Sequence, residues 1–154
     1  MMSLCCDVLK ALRGKTLATA ESCTGGGIGA AITAVSGSSA VFRGGIISYC
    51  NDIKHDLLGV DAQVLEACGA VSAPVAEAMA VGAKKALSAN VAVSVTGLAG
   101  PGGDEFGNPV GTVFIGYADA KRVFSRKFLF SGDREAVRSK AIEAALCIIL
   151  EENT

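Results

Sequence analysis

A three-layer α/β/α fold on a mixed, mostly parallel sheet is the architecture the sequence predicts. Three observations carry it. Short strand-like segments alternate with helical patterns in the first half of the chain. The run Val91 to Thr96 is apolar and β-branched on both faces, as a strand covered by helices on each side must be. Near the C-terminus two strand-like segments are separated only by Asp119-Ala120-Lys121, which closes the sheet with an antiparallel hairpin. At 154 residues the chain has the length of one domain, residues 1–154, with no internal repeat and no linker. A chain of this size buries roughly 68–70% of its unfolded surface and folds without a disulfide or a metal.

Ser3 is expected to cap a first helix through about Leu12, with Leu4, Val8, Leu9 and Leu12 on one face. Thr16 to Ala20 reads as a short strand. Glu21-Ser22-Cys23-Thr24-Gly25-Gly26-Gly27 then forms a glycine turn into a helix over Ile28 to Val35, and Ser36 to Ser39 is a loop. Val41 to Cys50 is a strand interrupted by Gly44-Gly45. Asn51 begins a helix that ends near Gly59, and a short one follows over Ala62–Ala67, stopped by Gly69. Ser72 as cap and Pro74 in the first turn start a long helix to about Ser88. After the Val91–Thr96 strand comes a glycine-rich loop, Gly97 to Pro109, long enough to suggest a function. Strands over Val110–Ala118 and Val123–Phe130 form the hairpin. Ser131-Gly132-Asp133 leads into a last helix from Arg134 to about Glu152.

Composition removes several classes of function. Hydrophobic residues make up 51% and charged ones 19%, with a mean hydropathy of +0.46, too apolar for a disordered chain. Fourteen Lys and Arg stand against fifteen Asp and Glu, a net charge of −1, so the broad basic footprint of a nucleic-acid binder is missing. With no Trp and 5% aromatics there is no stacking platform for single strands. The longest apolar stretch, Gly25 to Val35, falls well short of the roughly 20 residues of a membrane span. The N-terminus lacks the features of a signal peptide. The expectation is a cytoplasmic protein without membrane or nucleic-acid partners.

The six cysteines, Cys5, Cys6, Cys23, Cys50, Cys68 and Cys147, form no CxxC pair and read as small buried hydrophobes rather than a disulfide framework. Cys23 stands apart because it lies in the glycine turn, where a nucleophile is one reading of it. The single histidine, His55, sits in a polar stretch and reads as solvated. A Ser-His-Asp or Cys-His mechanism would have to pass through it, and a multi-histidine metal site is excluded.

Ser22 is the first chemical candidate. A side chain at a strand-to-helix turn is presented at the carboxyl end of a sheet, where α/β proteins bind ligands. The N–H groups of Thr24, Gly25 and Gly26 are expected to face the same space, where they can hold a phosphate or an oxyanion. Equally, Ser22 or Thr24 can simply cap the helix. With one histidine, the base for a serine nucleophile is a lysine held neutral, which requires a fall from about 10.4 to about 7–8. Lys54, just past the strand ending at Tyr49-Cys50, is the candidate, its alternative being an ordinary surface lysine. Tyr49 either relays the proton or is a half-buried strand aromatic. The loop after Thr96, containing Gly97 and Gly100, can form an anion nest but lacks the lysine of a P-loop. Thr96 can bond a substrate or the lysine. Arg134, at the start of the last helix, suits a phosphate or carboxylate, with Arg138 one turn on as the alternative, and a solvated arginine is the plainer reading of either.

Taken in order, Ala20-Glu21-Ser22-Cys23-Thr24-Gly25-Gly26, Gly37-Ser38-Ser39, Tyr49 with Asn51 and Lys54, Gly69-Ala70-Val71-Ser72, Thr96-Gly97-Leu98-Ala99-Gly100-Pro101, Pro109-Val110-Gly111-Thr112 and Ser131-Gly132-Asp133-Arg134 resemble the CinA C-terminal-domain family. The likeness spans roughly residues 4–152. It implies an α/β/α fold, frequent self-association and, in the members that are enzymes, hydrolysis of the carboxamide of nicotinamide mononucleotide to nicotinic acid mononucleotide and ammonia by a Ser/Lys mechanism. Carried over by position, it implies Ser22 as nucleophile, Lys54 as base, Tyr49 as its helper, Thr96 as support for the lysine and Arg134 near a pyridine-nucleotide substrate. No metal and no cofactor are implied. The rival from another class is a non-catalytic nucleotide-binding or regulatory module of the same family. The two differ over Lys54, which catalysis needs neutral and binding needs charged.

Overall fold

The hydrophobic pattern sorts the chain onto the two faces of a five-stranded sheet in a computed structural model that describes all of residues 1–154. In chain order the elements are α1 (Met2–Ala11), β1 (Leu17–Glu21), α2 (Gly27–Thr33), a 3-10 turn (Ser38–Ala40), β2 (Phe42–Ile47), α3 (Asn51–Leu58), α4 (Ala62–Cys68), α5 (Ala73–Ala86), β3 (Val91–Gly97), β4 (Thr112–Ala118), β5 (Val123–Leu129) and α6 (Arg134–Glu152). The strand order is β2-β1-β3-β4-β5. β1 runs parallel to both β2 and β3, and the β3–β4 and β4–β5 pairings are antiparallel, so the sheet is mixed as the sequence predicts.

Alternation along the strands builds the three layers. Leu17, Val91, Val93 and Val95, with Val113, Ile115 and Tyr117 of β4, pack under α1, α2 and α6 in one core cluster. Ala18, Ala20 and Ala92 point to the other face, against Leu58 of α3, Leu65 of α4 and Val75, Met79 and Ala83 of α5. The second face is made of small side chains, and α5 lies close on it. A Cβ on Gly116 of β4 would overlap the Ala76 carbonyl of α5, and Ser94 Oγ donates to that same carbonyl at 2.5 Å.

Several boundaries differ from the sequence reading for local reasons. Ser3 does not cap α1; the helix starts at Met2, and Met1 occupies the cap position. β2 stops at Ile47 rather than Cys50 because its neighbour stops. Ile47 is paired with Glu21, the last residue of β1, and the rung after it is a single bond from Ser48 N to Glu21 O at 2.9 Å. Tyr49 is therefore no strand residue, and it is exposed rather than half-buried. Ser72 does cap α5 in position, with Pro74 in the first turn, but its hydroxyl donates back to the Gly69 carbonyl. β4 begins at Thr112 because Gly111, at φ +94°, turns the chain where Phe130 leaves no room for a side chain.

The α3–α5 contact fixes where Lys54 lies. A Cβ on Gly82 of α5 would collide with the Leu58 carbonyl at the end of α3, so α3 can pack here only against glycine. Gly82→Ala is expected to push α3 outward and lower stability by about 1–3 kcal/mol, the usual cost of overpacking. The shift of the urea midpoint, with the m-value unchanged, measures it.

Candidate active site

β1 sits between its two parallel neighbours. The chain leaves β1 through α2 toward β2 on one side, and reaches β3 through α3, α4 and α5 on the other. The carboxyl ends of β1 and β3 are thus a topological switch point, where open α/β sheets bind ligands. Ser22 follows β1 directly there, with its N–H held by Val95 O of β3 at 2.9 Å.

Lys54 comes from the first turns of α3 and runs inward instead of out to solvent. It is 1% exposed. Its Nζ lies 2.7 Å from Ser48 O and 3.0 Å from Ser22 Oγ. None of the ion pairs in the molecule involves it. Burial without a carboxylate penalises the ammonium, and it holds Lys54 below its ordinary value of 10.5. A neutral amine has a lone pair. Donating one N–H to the Ser48 carbonyl, it can accept the Ser22 hydroxyl proton along the other contact, which is the geometry of a general base on its nucleophile.

The turn that carries Ser22 is held by a residue the sequence reading did not assign. Glu21 is buried, and its carboxylate accepts from Thr24 Oγ1 at 2.7 Å, Ile28 N at 2.8 Å and Gly29 N at 3.1 Å. The first amides of α2 are therefore occupied by the protein's own carboxylate. Gly25 N donates to Ser22 O at 3.0 Å, and Gly26, at φ +97°, is the N-cap of α2. Thr24, Gly25 and Gly26 do not reach the wall of the cavity in front of Ser22. Their place is behind Ser22, shaping its turn.

That cavity has a volume of about 270 Å³. Ser22, Cys23 and Lys54 form its floor, Thr96, Gly97 and Gly100 belong to its β3 side, and Tyr49 and Arg134 stand at its edge. Arg134 donates to Gly100 O at 2.7 Å and to Tyr49 Oη at 3.0 Å. The Tyr49 hydroxyl is thus engaged with Arg134, not with Lys54. Thr96 Oγ1 donates to Ala70 O at 2.8 Å and does not contact Lys54 either. A larger cavity of about 670 Å³ adjoins the first through Asn51, Ala70, Val71 and Leu98.

Two alternatives in the sequence are removed by geometry. Burial pushes the Cys23 thiol up to about 11, so it is protonated at neutral pH and a poor nucleophile. His55 Nδ1 lies 2.7 Å from Val60 O, a pure acceptor, so this nitrogen carries the proton. The ring does not line the Ser22 cavity.

Residues 2–153 match the model of the CinA C-terminal domain. The chain belongs to that family. Nicotinamide-nucleotide amidohydrolase PncC of Pseudomonas putida is 51% identical over 136 residues, covering 88% of this chain and 85% of that protein. Its namesake from Escherichia coli K12 is 48% identical over 141 residues, covering 91% and 85%. A CinA-like protein of Synechocystis is 52% identical over 122 residues, which are 79% of this chain and 29% of that protein. The chain thus spans about a third of the length of such CinA-like relatives, and most of the PncC proteins. Among solved structures, the competence damage-inducible protein A of Klebsiella pneumoniae superposes with a TM-score of 0.96 at 35% identity, covering 98% of this chain and 95% of that one. The CinA resemblance and the α/β/α expectation are both borne out.

The state of Lys54 has a consequence for folding. Its native pKa lies below its unfolded one, so between the two values the unfolded chain binds the extra proton and native stability rises with pH. The stability of the neutral form is complete above the unfolded value of about 10.4 and is lost as pH falls through the native value. Urea midpoints taken from pH 7 to pH 10.5 are expected to climb with pH in the parent protein, and to lose that part of the slope in Lys54→Met.

Proposed function

We propose that the chain is a nicotinamide-nucleotide amidohydrolase working by a Ser/Lys mechanism. The single observation that carries the mechanism is the 3.0 Å contact between Lys54 Nζ and Ser22 Oγ in a pocket where no carboxylate keeps the amine charged. The substrate class is supported by the two PncC proteins, which match at 48–51% identity over 85% of their length.

Ser22 Oγ attacks the carboxamide carbon, and its proton passes directly to Lys54 Nζ. The carbonyl electrons move onto oxygen, where backbone amides of the surrounding loops stabilise the charge. On collapse the C–N bond breaks, and the proton on Lys54 passes to the departing nitrogen, giving ammonia and an ester on Ser22. Water then attacks that ester with Lys54 as base. Nicotinic acid mononucleotide leaves, and the Ser22 hydroxyl is restored. Direct contact makes a relay through Tyr49 unnecessary. Tyr49 and Arg134 instead frame the entrance, and Thr96 holds the Ala70 segment between α4 and α5 in place.

Charge assigns an end to the phosphate. The larger adjoining cavity presents Asp52, Glu66, Asp104 and Glu105 and no Lys or Arg, so it repels a phosphate. Arg134 at the other end has guanidinium donors beyond the two already used. Both observations support an orientation with the phosphate toward Arg134 and the pyridine carboxamide at Ser22. No helix is long and apolar enough to cross a membrane. A cytoplasmic setting fits six free cysteines, two of them exposed. Self-association fits the exposed Ile47, Leu57, Val123 and Leu129.

The test is ammonia release from nicotinamide mononucleotide. The parent protein is expected to turn over. Ser22→Ala is expected to fall to background with its fold intact. Lys54→Arg is expected to lose about 10²–10⁴-fold, the range for a general base. Turnover should also rise with pH on the acid limb, as Lys54 loses its proton. A parent protein that releases no ammonia, or a Ser22→Ala variant that keeps its rate, overturns the reading.

A further inference from the structure

Arg138 lies one turn along α6 from Arg134, but its guanidinium does something different. Half-buried, it spans from α6 to the nucleophile turn, donating from Nε to Cys23 O at 3.0 Å and from Nη2 to Thr24 O at 3.2 Å. The same Nη2 lies 3.6 Å from where a Cβ on Gly25 would be. It does not line the Ser22 cavity. Below the turn, Glu21 holds the Thr24 hydroxyl and the first amides of α2. Thr24 is thus gripped from both sides, its side chain by a carboxylate and its carbonyl by a guanidinium.

Peptide planarity turns these bonds into a statement about amides. In a trans peptide the N–H points opposite to the C=O. Ser22 O is turned inward onto Gly25 N, so Cys23 N–H points the other way. Thr24 O is turned onto Arg138 Nη2, which holds the Thr24–Gly25 plane whose N–H fixes Ser22 O. The Cys23 N–H donates to no other residue of the protein, though Cys23 is buried and lines the cavity. Buried amides without a partner are uncommon. That of Cys23 directly follows Ser22, the position from which a backbone N–H serves as an oxyanion donor in other serine hydrolases.

We propose that Arg138 is a positioning residue, which holds the turn through the Cys23 and Thr24 carbonyls so that the free N–H of Cys23 forms the oxyanion site for Ser22. It acts through the backbone and does not bind the substrate phosphate. The inference rests on the Ser22 amidase reading, and one arm of its test is independent of the pyridine nucleotide.

Arg138→Lys keeps the charge but cannot hold two carbonyls with a planar fork. It is compared with Arg134→Ala on nicotinamide mononucleotide and on nicotinamide riboside, which lacks the phosphate. Arg138→Lys is expected to lower kcat by about 10–100-fold, less than the ~10²–10³ of deleting an oxyanion donor outright. The factor should be the same on both substrates, with KM little changed. Arg134→Ala should instead raise KM, and only for the phosphorylated substrate. Adding guanidinium ion to Arg138→Ala is expected to recover part of the lost kcat.

The independent arm uses a fluorophosphonate probe. Ser22 Oγ forms the O–P bond, the P–F bond breaks, fluoride leaves and the proton goes to Lys54. Labelling should slow by a similar factor in Arg138→Lys. Parent protein that labels at Ser22 but releases no ammonia would sink the substrate assignment and leave the Arg138 role to the labelling ratio. Arg138→Lys protein that labels and turns over like the parent overturns the proposal. A variant that loses only KM for the phosphorylated substrate also overturns it.

Discussion

An ammonium group buried with no carboxylate beside it is the constraint on which the rest of this molecule depends. Moving an unpaired ion out of water costs several kcal/mol even after relaxation. Hydrogen bonds to a charged group each return about 1.5–3 kcal/mol. Lys54 has two contacts, Ser48 O and Ser22 Oγ, and no anion, so it holds its proton less tightly than a solvated lysine does. The neutral amine is cheaper to bury, and its lone pair faces a hydroxyl. Ser22 and Lys54 need no third charged residue to bring them together, because the packing of α3 does it. That packing depends in turn on Gly82, where α5 lets the end of α3 come close.

The turn around Ser22 shows a second economy. Strand-to-helix turns at a sheet's carboxyl edge usually offer their helix amides to an anion. Here Glu21 takes the amides of Ile28 and Gly29, so α2 is capped from within and those amides are closed to an outside anion. Glu21 and Arg138 hold the turn from opposite sides. Tyr49, Arg134 and the Gly100 loop close the edge by hydrogen bonds made across three separate segments of the chain.

Much of the fold is legible in the sequence, because apolar period and turn residues act locally. The strand over Val91–Thr96, the hairpin at Asp119-Ala120-Lys121 and the helix opened by Ser72 and Pro74 lie where their patterns put them. The length of β2 is not legible, since it is set by where β1 ends rather than by Ser48, Tyr49 or Cys50. In the site, Ser22 and Lys54 are readable as a pair because the single histidine leaves few bases. The partners of Tyr49 and Thr96 are not legible, because segments remote in sequence bring Arg134 to the Tyr49 hydroxyl and the Ala70 carbonyl to that of Thr96. Glu21 carried a signal that went unused: one carboxylate between an apolar strand and a glycine turn, with no basic residue nearby to pair it. Arg138 gave none that separates it from Arg134, because a helical turn of difference decides between a solvent edge and two backbone carbonyls.

The most direct measurement of the central claim is the titration of Lys54 itself, followed by the NMR shift of its side-chain 13Cε and assigned by its absence in Lys54→Arg. The account predicts a midpoint below the ordinary 10.5, and its removal from that depressed range when Ser22 and the cavity are exposed by unfolding. A native Lys54 that titrates at or above the value of a solvated lysine would contradict it.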